Sequence, residues 1–162
     1  MKRKIIKYYT DKVAKNKKTD PKILERIITE GMKDGEEDSV VWYAIRNPNC
    51  PPKILEKILE RDIDDYCSFE AVKNINCPPK VLGNILSRNN NDFMSQYASK
   101  NPNCPVSALE KRLGRGIDDV LSSIVYNFNE KINQSVKEKW FKIISEKRNR
   151  KREQTIILME FK

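Results

Sequence analysis

Residues 47–55 read Asn-Pro-Asn-Cys-Pro-Pro-Lys-Ile-Leu, residues 74–82 read Asn-Ile-Asn-Cys-Pro-Pro-Lys-Val-Leu, and residues 101–109 read Asn-Pro-Asn-Cys-Pro-Val-Ser-Ala-Leu. The three phrases are 27 residues apart, which places Cys50, Cys77 and Cys104 on one column. A fixed period of this size is the signature of a supersecondary unit copied and stacked. The period reaches beyond the phrase. Asp38, Asp65, Asp92 and Asp119 form a second column, Ala44, Ala71 and Ala98 a third, and Leu55, Leu82 and Leu109 a fourth. Leu59, Leu86 and Leu113 repeat one turn further on. Upstream, residues 21–27 match residues 52–58 at a distance of 31, and the four extra residues are placed in the polar segment Gly31–Asp38, read as a loop.

Each unit reads as two short helices. The Asp column is suited to N-cap the first, because a carboxylate accepts from the free N–H groups of a first turn. Val40 and Ala44, Cys67 and Ala71, and Met94 and Ala98 are each four residues apart, which puts each pair on one helical face. The Cys-Pro step opens the second helix, where proline costs no hydrogen bond. Ile54, Leu55, Ile58 and Leu59 then form an amphipathic stripe, repeated by Val81, Leu82, Ile85 and Leu86. In the last copy Arg112 interrupts the stripe, as expected where a stack ends. One unit cannot bury its stripe alone, so several neighbours must share a core. The expected fold is all-α: an α-solenoid of about four two-helix repeats with helical caps. The units are a divergent repeat over residues 1–38, three regular repeats over 39–119, capping helices over 120–150 and a tail over 151–162.

The pattern Ala-x-x-Asn-Pro-Asn-Cys-Pro-x-x-x-Leu-x-x-x-Leu, best seen from Ala44 to Leu59, resembles the leucine-rich repeat variant, a bacterial α-solenoid allied in style to HEAT and armadillo repeats. The likeness spans roughly residues 8–130 and is strong over 39–119. It implies a fold and is nearly silent on function. Arg61, Arg88 and Arg115 stand where that pattern has a small residue. The separate cysteine cluster that holds an iron–sulfur centre in one member has no counterpart here.

Charge is unevenly placed. The net +9 divides into +7 over residues 1–22, −4 over 23–130 and +6 over 131–162. Lys147, Arg148, Arg150, Lys151 and Arg152 make the densest run, and Lys12, Lys15, Lys17 and Lys18 a second. Two cationic columns lie inside the units: Lys15, Arg46, Lys73 and Lys100 at the ends of the first helices, and Arg61, Arg88 and Arg115 at the ends of the second. The helix macrodipole favours a cation at both places, and capping explains the columns more simply than a ligand does. Five positive charges in six residues exceed what capping requires. Columns that converge on one surface would favour nucleic acid, and columns dispersed to separate edges a protein partner.

No cofactor or metal is expected. Equivalent positions in stacked helices lie about 10 Å apart, too far for a disulfide or a shared zinc ion, and Cys67 reads as a small core residue. The chain has no histidine, the commonest general base and metal ligand. Asp62, Asp64 and Asp65 follow the loop and cap pattern rather than a magnesium site. Trp42 and Tyr43 with Glu36, Glu37 or Asp38 make the only local set like that of a helical-repeat DNA glycosylase. No apolar run reaches the length of a membrane span, and the N-terminus is not that of a secretory signal, so the expected place is the cytoplasm. Val136, Trp140, Ile143 and Ile144 are expected to close the last unit. Residues 155–161, Thr-Ile-Ile-Leu-Met-Glu-Phe, are open to helix, strand or docking segment. The leading expectation is a non-enzymatic binding scaffold for a protein, in the style of a phage or microbial regulator. A nucleic-acid-binding module is the alternative, and a repeat-fold enzyme on DNA a distant third.

Overall fold

The computed structural model describes residues 10–33, 38–88, 92–115, 122, 125–126 and 130–160, the side chains of 147, 148, 151 and 154–160 excepted. Among these residues the structure is all-helical, with no strand. The helices are α1 (Asp11–Lys15), α2 (Pro21–Lys33), α3 (Ser39–Arg46), α4 (Pro52–Glu60), α5 (Tyr66–Lys73), α6 (Pro79–Ser87), α7 (Phe93–Lys100), α8 (Val106–Leu113) and α9 (Gln134–Glu160).

The starts and stops follow from the columns. Asp38 accepts from the Val40 N–H, and Asp65 and Asp92 accept from the N–H groups of Ser68 and Ser95, both at 2.7 Å. Each such cap contributes about 1 kcal/mol. Asn47, Asn74 and Asn101 end α3, α5 and α7 in extended backbone. Pro51, Pro78 and Pro105 occupy the N-cap position of α4, α6 and α8.

The odd-numbered helices α1, α3, α5 and α7 pack in succession, while α2 lies against α3, α4 against α5, and α6 against both α7 and α8. Ala44, Ala71 and Ala98 are fully buried at the seams, with Val40, Cys67 and Met94 beside them. The stripes Ile54, Leu55, Ile58, Leu59 and Val81, Leu82, Ile85, Leu86 are also buried, and the core is continuous from Ala14 to Trp140.

The Asn-x-Asn-Cys phrase stitches each unit to the one before it. Asn47 Nδ2 donates to the carbonyls of Ala14 and Asn16 at 2.7 and 2.9 Å. Asn74 repeats this toward Ile45 and Asn47, and Asn101 toward Val72 and Asn74. Each carboxamide oxygen accepts from the N–H two residues on, at Asn49, Asn76 and Asn103. Those second asparagines in turn donate back to the preceding unit: Asn49 to Lys17 and Thr19, Asn76 to Pro48 and Cys50, Asn103 to Ile75 and Cys77. The helix-end carbonyls are thereby satisfied inside the core, where leaving them bare would be costly. Asparagine suits the task because one side chain offers two donors and an acceptor.

All four cysteines are free and buried. Burial pushes the thiols of Cys50, Cys77 and Cys104 up to about 12. The thiolate is the reactive form, so the folded protein is expected to leave these three unmodified by a disulfide reagent at pH 8. Denaturant should expose all four. Rapid modification of the three in the folded state would contradict their placement.

Two sequence expectations change, and a third residue gains a partner. Helix α2 continues through Lys33 with Gly31 buried, so the inserted loop is shorter than Gly31–Asp38; residues 34–37 lie outside the described ones. Arg112, which interrupts the last stripe, is held inside. It is 1% exposed, and its Nη1 donates to the Leu86 carbonyl at 3.4 Å, reaching back into the preceding unit. Ile143 is exposed rather than closing the core, whereas Trp140 is buried against Tyr126 with ring centroids 5.1 Å apart. Helix α9 also runs unbroken across position 150, so of the three options for residues 155–161 the backbone is helical as far as Glu160. No helix among the described residues is long and apolar enough to cross a membrane.

Candidate functional site

On α3, α5 and α7 one helical face lies at the margin of the core, with half-buried rings packed against it. On α3 that face carries Ser39, Trp42, Tyr43 and Arg46. On α5 it carries Tyr66, Phe69, Glu70 and Lys73, and on α7 Phe93, Gln96, Tyr97 and Lys100. The spacing i, i+3, i+4, i+7 is that of one helical face. Because the helices lie side by side, the three faces join into one surface, with Asp11 and Lys15 of α1 at its edge.

Aromatic rings dominate this surface. Trp42 and Tyr66 have centroids 4.4 Å apart, Phe69 and Tyr97 4.7 Å, and Phe69 and Phe93 6.0 Å. Phe93 is 65% exposed and Tyr66 39%. Trp42, Tyr43, Phe69 and Tyr97 are half-buried.

A row of cations borders the rings. Lys15 Nζ lies 3.7 Å above the Tyr43 ring and 3.3 Å from Asp11. Arg46 holds Glu70 through Nε at 2.5 Å and Nη2 at 2.8 Å, with Nη2 also donating to the Tyr66 hydroxyl at 2.6 Å. Lys73 Nζ lies 3.3 Å from Glu70 and 5.5 Å from the Tyr97 ring centre, and Lys100 Nζ lies 5.7 Å from that same centre. The registry is regular. Tyr43, Glu70 and Tyr97 are 27 apart, and each meets the cation of the preceding unit, 24 residues back for Arg46 and Lys73 and 28 for Lys15. The difference of four is the insertion between the first and second units.

Glu70 is the one buried acid of the described residues. Burial acts to raise its carboxyl, but the Arg46 hydrogen bonds, with the charges of Lys73 and Arg46, overcome this and hold it below the ordinary carboxylate value. The Arg46 guanidinium is held up correspondingly, chiefly by its hydrogen bonds to Glu70. A depressed carboxyl stabilises the fold above its unfolded value, near 4.5, and that stabilisation is lost as pH falls through the folded value. Glu70→Gln should therefore cost about 1 kcal/mol at pH 7, discounted because Arg46 is half in solvent. The gap between variant and wild type should close in acid. Chemical denaturation at a series of pH values checks this, and a gap independent of pH would contradict it.

The second cationic column stands elsewhere. Arg61 donates to the Ile58 carbonyl, to Asp65 at 3.0 Å and to Ser68, and Arg88 pairs with Asp62. Arg115 follows α8 and is half-buried. Arg61 and Arg88 both bind the loop that leads into the N-terminus of α5, whereas Arg46, Lys73 and Lys100 end α3, α5 and α7. An eight-residue helix, about 12 Å long, separates the two columns. They are dispersed to separate edges. Asp65 caps α5 and pairs with Arg61, and Asp62 pairs with Arg88. Among the described residues no group of three or more histidines, cysteines or acids is placed to hold a metal ion.

Of the terminal cations, Lys12, Lys17 and Lys18 are exposed, as are Arg150 and Arg152 on α9. The side chains of Lys147, Arg148 and Lys151 lie outside the described residues. So do Glu36 and Glu37 of the glycosylase-like set, while Asp38 is occupied as a cap and Trp42 packs on Tyr66.

Comparison with protein-family models, with curated proteins and with solved structures found no match. The functional reading therefore rests on the surface itself. Sequence reasoning found its cations and missed its rings. The signal was present: 42 and 69, 43 and 97, and 66 and 93 are aromatic at multiples of the same period. Glu70 and Gln96 interrupt those columns and hid them.

Proposed function

We propose that the chain is an α-solenoid of about four units, of the leucine-rich repeat variant or HEAT-like kind. In this reading it is a non-enzymatic, cytoplasmic scaffold that binds a protein along the outward face of α3, α5 and α7, in the style of a microbial or phage regulator. The observation that carries the reading is the cluster of surface rings. Folding alone gives no reason to leave Phe93 65% exposed beside Tyr66, Phe69 and Tyr97. Aromatic residues with arginine are the side chains enriched in protein interfaces. The dispersal of the two cationic columns supports the same reading, because neither forms a continuous phosphate track with the other.

A nucleic-acid-binding module is the second reading, favoured by the exposed Arg150 and Arg152 on the long helix α9. Fluorescence anisotropy with labelled single-stranded and duplex DNA and RNA, repeated across a salt series, separates the two. The scaffold reading expects no binding that survives physiological salt. Tight binding with a steep salt slope, reduced by reversing the charges at Lys147–Arg152, would make nucleic acid the partner.

A further inference from the structure

Resting on the scaffold reading, we infer that the ring-and-cation face of α3, α5 and α7 takes an extended acidic peptide, with a carboxylate at the Arg46–Lys73 pair and an apolar side chain at Phe93.

The charge on the face is one-sided. Arg46 and Lys73 share a single carboxylate, that of Glu70, and Lys100 stands next in the row. The acid lies beneath and the cations on top: the Glu70 side chain is 3% exposed, those of Arg46 and Lys73 42% and 41%. Arg46 directs Nε and Nη2 to Glu70 and Tyr66, and its Nη1 donates to no described residue. The row thus offers charged donors to an anion arriving from solvent, while its own acid is already fully engaged.

The rings select peptide over single-stranded nucleic acid. Base stacking needs an open ring face. Here most of the rings already have a partner. Trp42 and Tyr66 pack on each other, as do Phe69 and Tyr97, and Lys15 covers Tyr43. What remains toward solvent is chiefly Phe93, with part of Tyr66, and these suit a leucine or phenylalanine side chain. Arg46 Nη2 and Lys73 Nζ lie 2.8 and 3.3 Å from the same Glu70 oxygen. The two charges are thus close enough together for one peptide carboxylate to meet both.

Selection of phage-displayed random 12-residue peptides on the full chain tests this, followed by anisotropy of the enriched peptides. The variants are Phe93→Ala, Lys73→Gln, and Lys53→Gln on the exposed side of α4 as a charge-matched control, each checked for an unchanged melting temperature. The expected result is enrichment of peptides with an acidic residue close to an apolar one. Their Kd should rise at least about fivefold in Phe93→Ala and Lys73→Gln and stay within about twofold in Lys53→Gln. Enrichment of basic peptides, or of peptides indifferent to the first two variants, overturns the inference and leaves the scaffold reading standing. No enriched peptide overturns the inference too, and salt-sensitive binding of a dT12 oligonucleotide would then overturn the scaffold reading with it.

Discussion

Asn74→Ala is expected to lower the free energy of unfolding by about 2–4 kcal/mol, a large share of the stability of a domain this size. The side chain is buried in the turn between α5 and α6. It donates to the carbonyls of Ile45 and Asn47 in the preceding unit and accepts from the N–H of Asn76. Alanine removes all three bonds and leaves those groups bare in a place water does not reach. Asn74→Asp should cost more, because a carboxylate would then face two carbonyl oxygens. The neighbouring Ile75 is 57% exposed, and Ile75→Ala provides a comparison expected within about 0.5 kcal/mol. Urea denaturation of the three variants checks the order. A loss at Asn74 no greater than at Ile75 would show that the stitch does not hold the units together.

Leu82→Ala is expected to cost about 2–5 kcal/mol. Leu82 is fully buried in α6, at the centre of a core that runs without interruption from unit to unit. Because α6 packs on both α7 and α8, the cavity weakens contacts on two sides. The loss should appear as a shift of the whole unfolding transition, since no unit has a core of its own. Thermal unfolding followed by circular dichroism reads both features. A separate low-temperature step, with the remaining transition unmoved, would mean that the units melt independently.

Much of the helical pattern was legible in the sequence, because it is written in residues whose local chemistry is unambiguous. Asp38, Asp65 and Asp92 announce helix starts, Pro51, Pro78 and Pro105 the next ones, and the Leu and Ala columns the buried sides. The phrase that revealed the period was itself misjudged in emphasis. Its cysteines drew attention, yet its asparagines hold the units, because a hydrogen bond that spans 27 residues cannot be seen from either end. The partner of Arg112 was hidden for a related reason, since the Leu86 carbonyl that accepts from it lies 26 residues back. The candidate face was half legible. Lys15, Arg46, Lys73 and Lys100 were found as a column, and capping does explain their position. What they do there depends on Glu70 and on rings from the next unit, and Glu70 and Gln96 interrupt the aromatic columns that would have shown it.

The most direct measurement is side-chain hydrogen exchange of the asparagine carboxamides, followed by NMR. If the Asn-x-Asn-Cys phrase stitches successive units, the carboxamide protons of Asn47, Asn74 and Asn101 will be strongly protected, while those of the exposed Asn84 and Asn133 exchange freely. Exchange of the three at the rate of Asn84 would contradict the stacked arrangement on which the binding face depends.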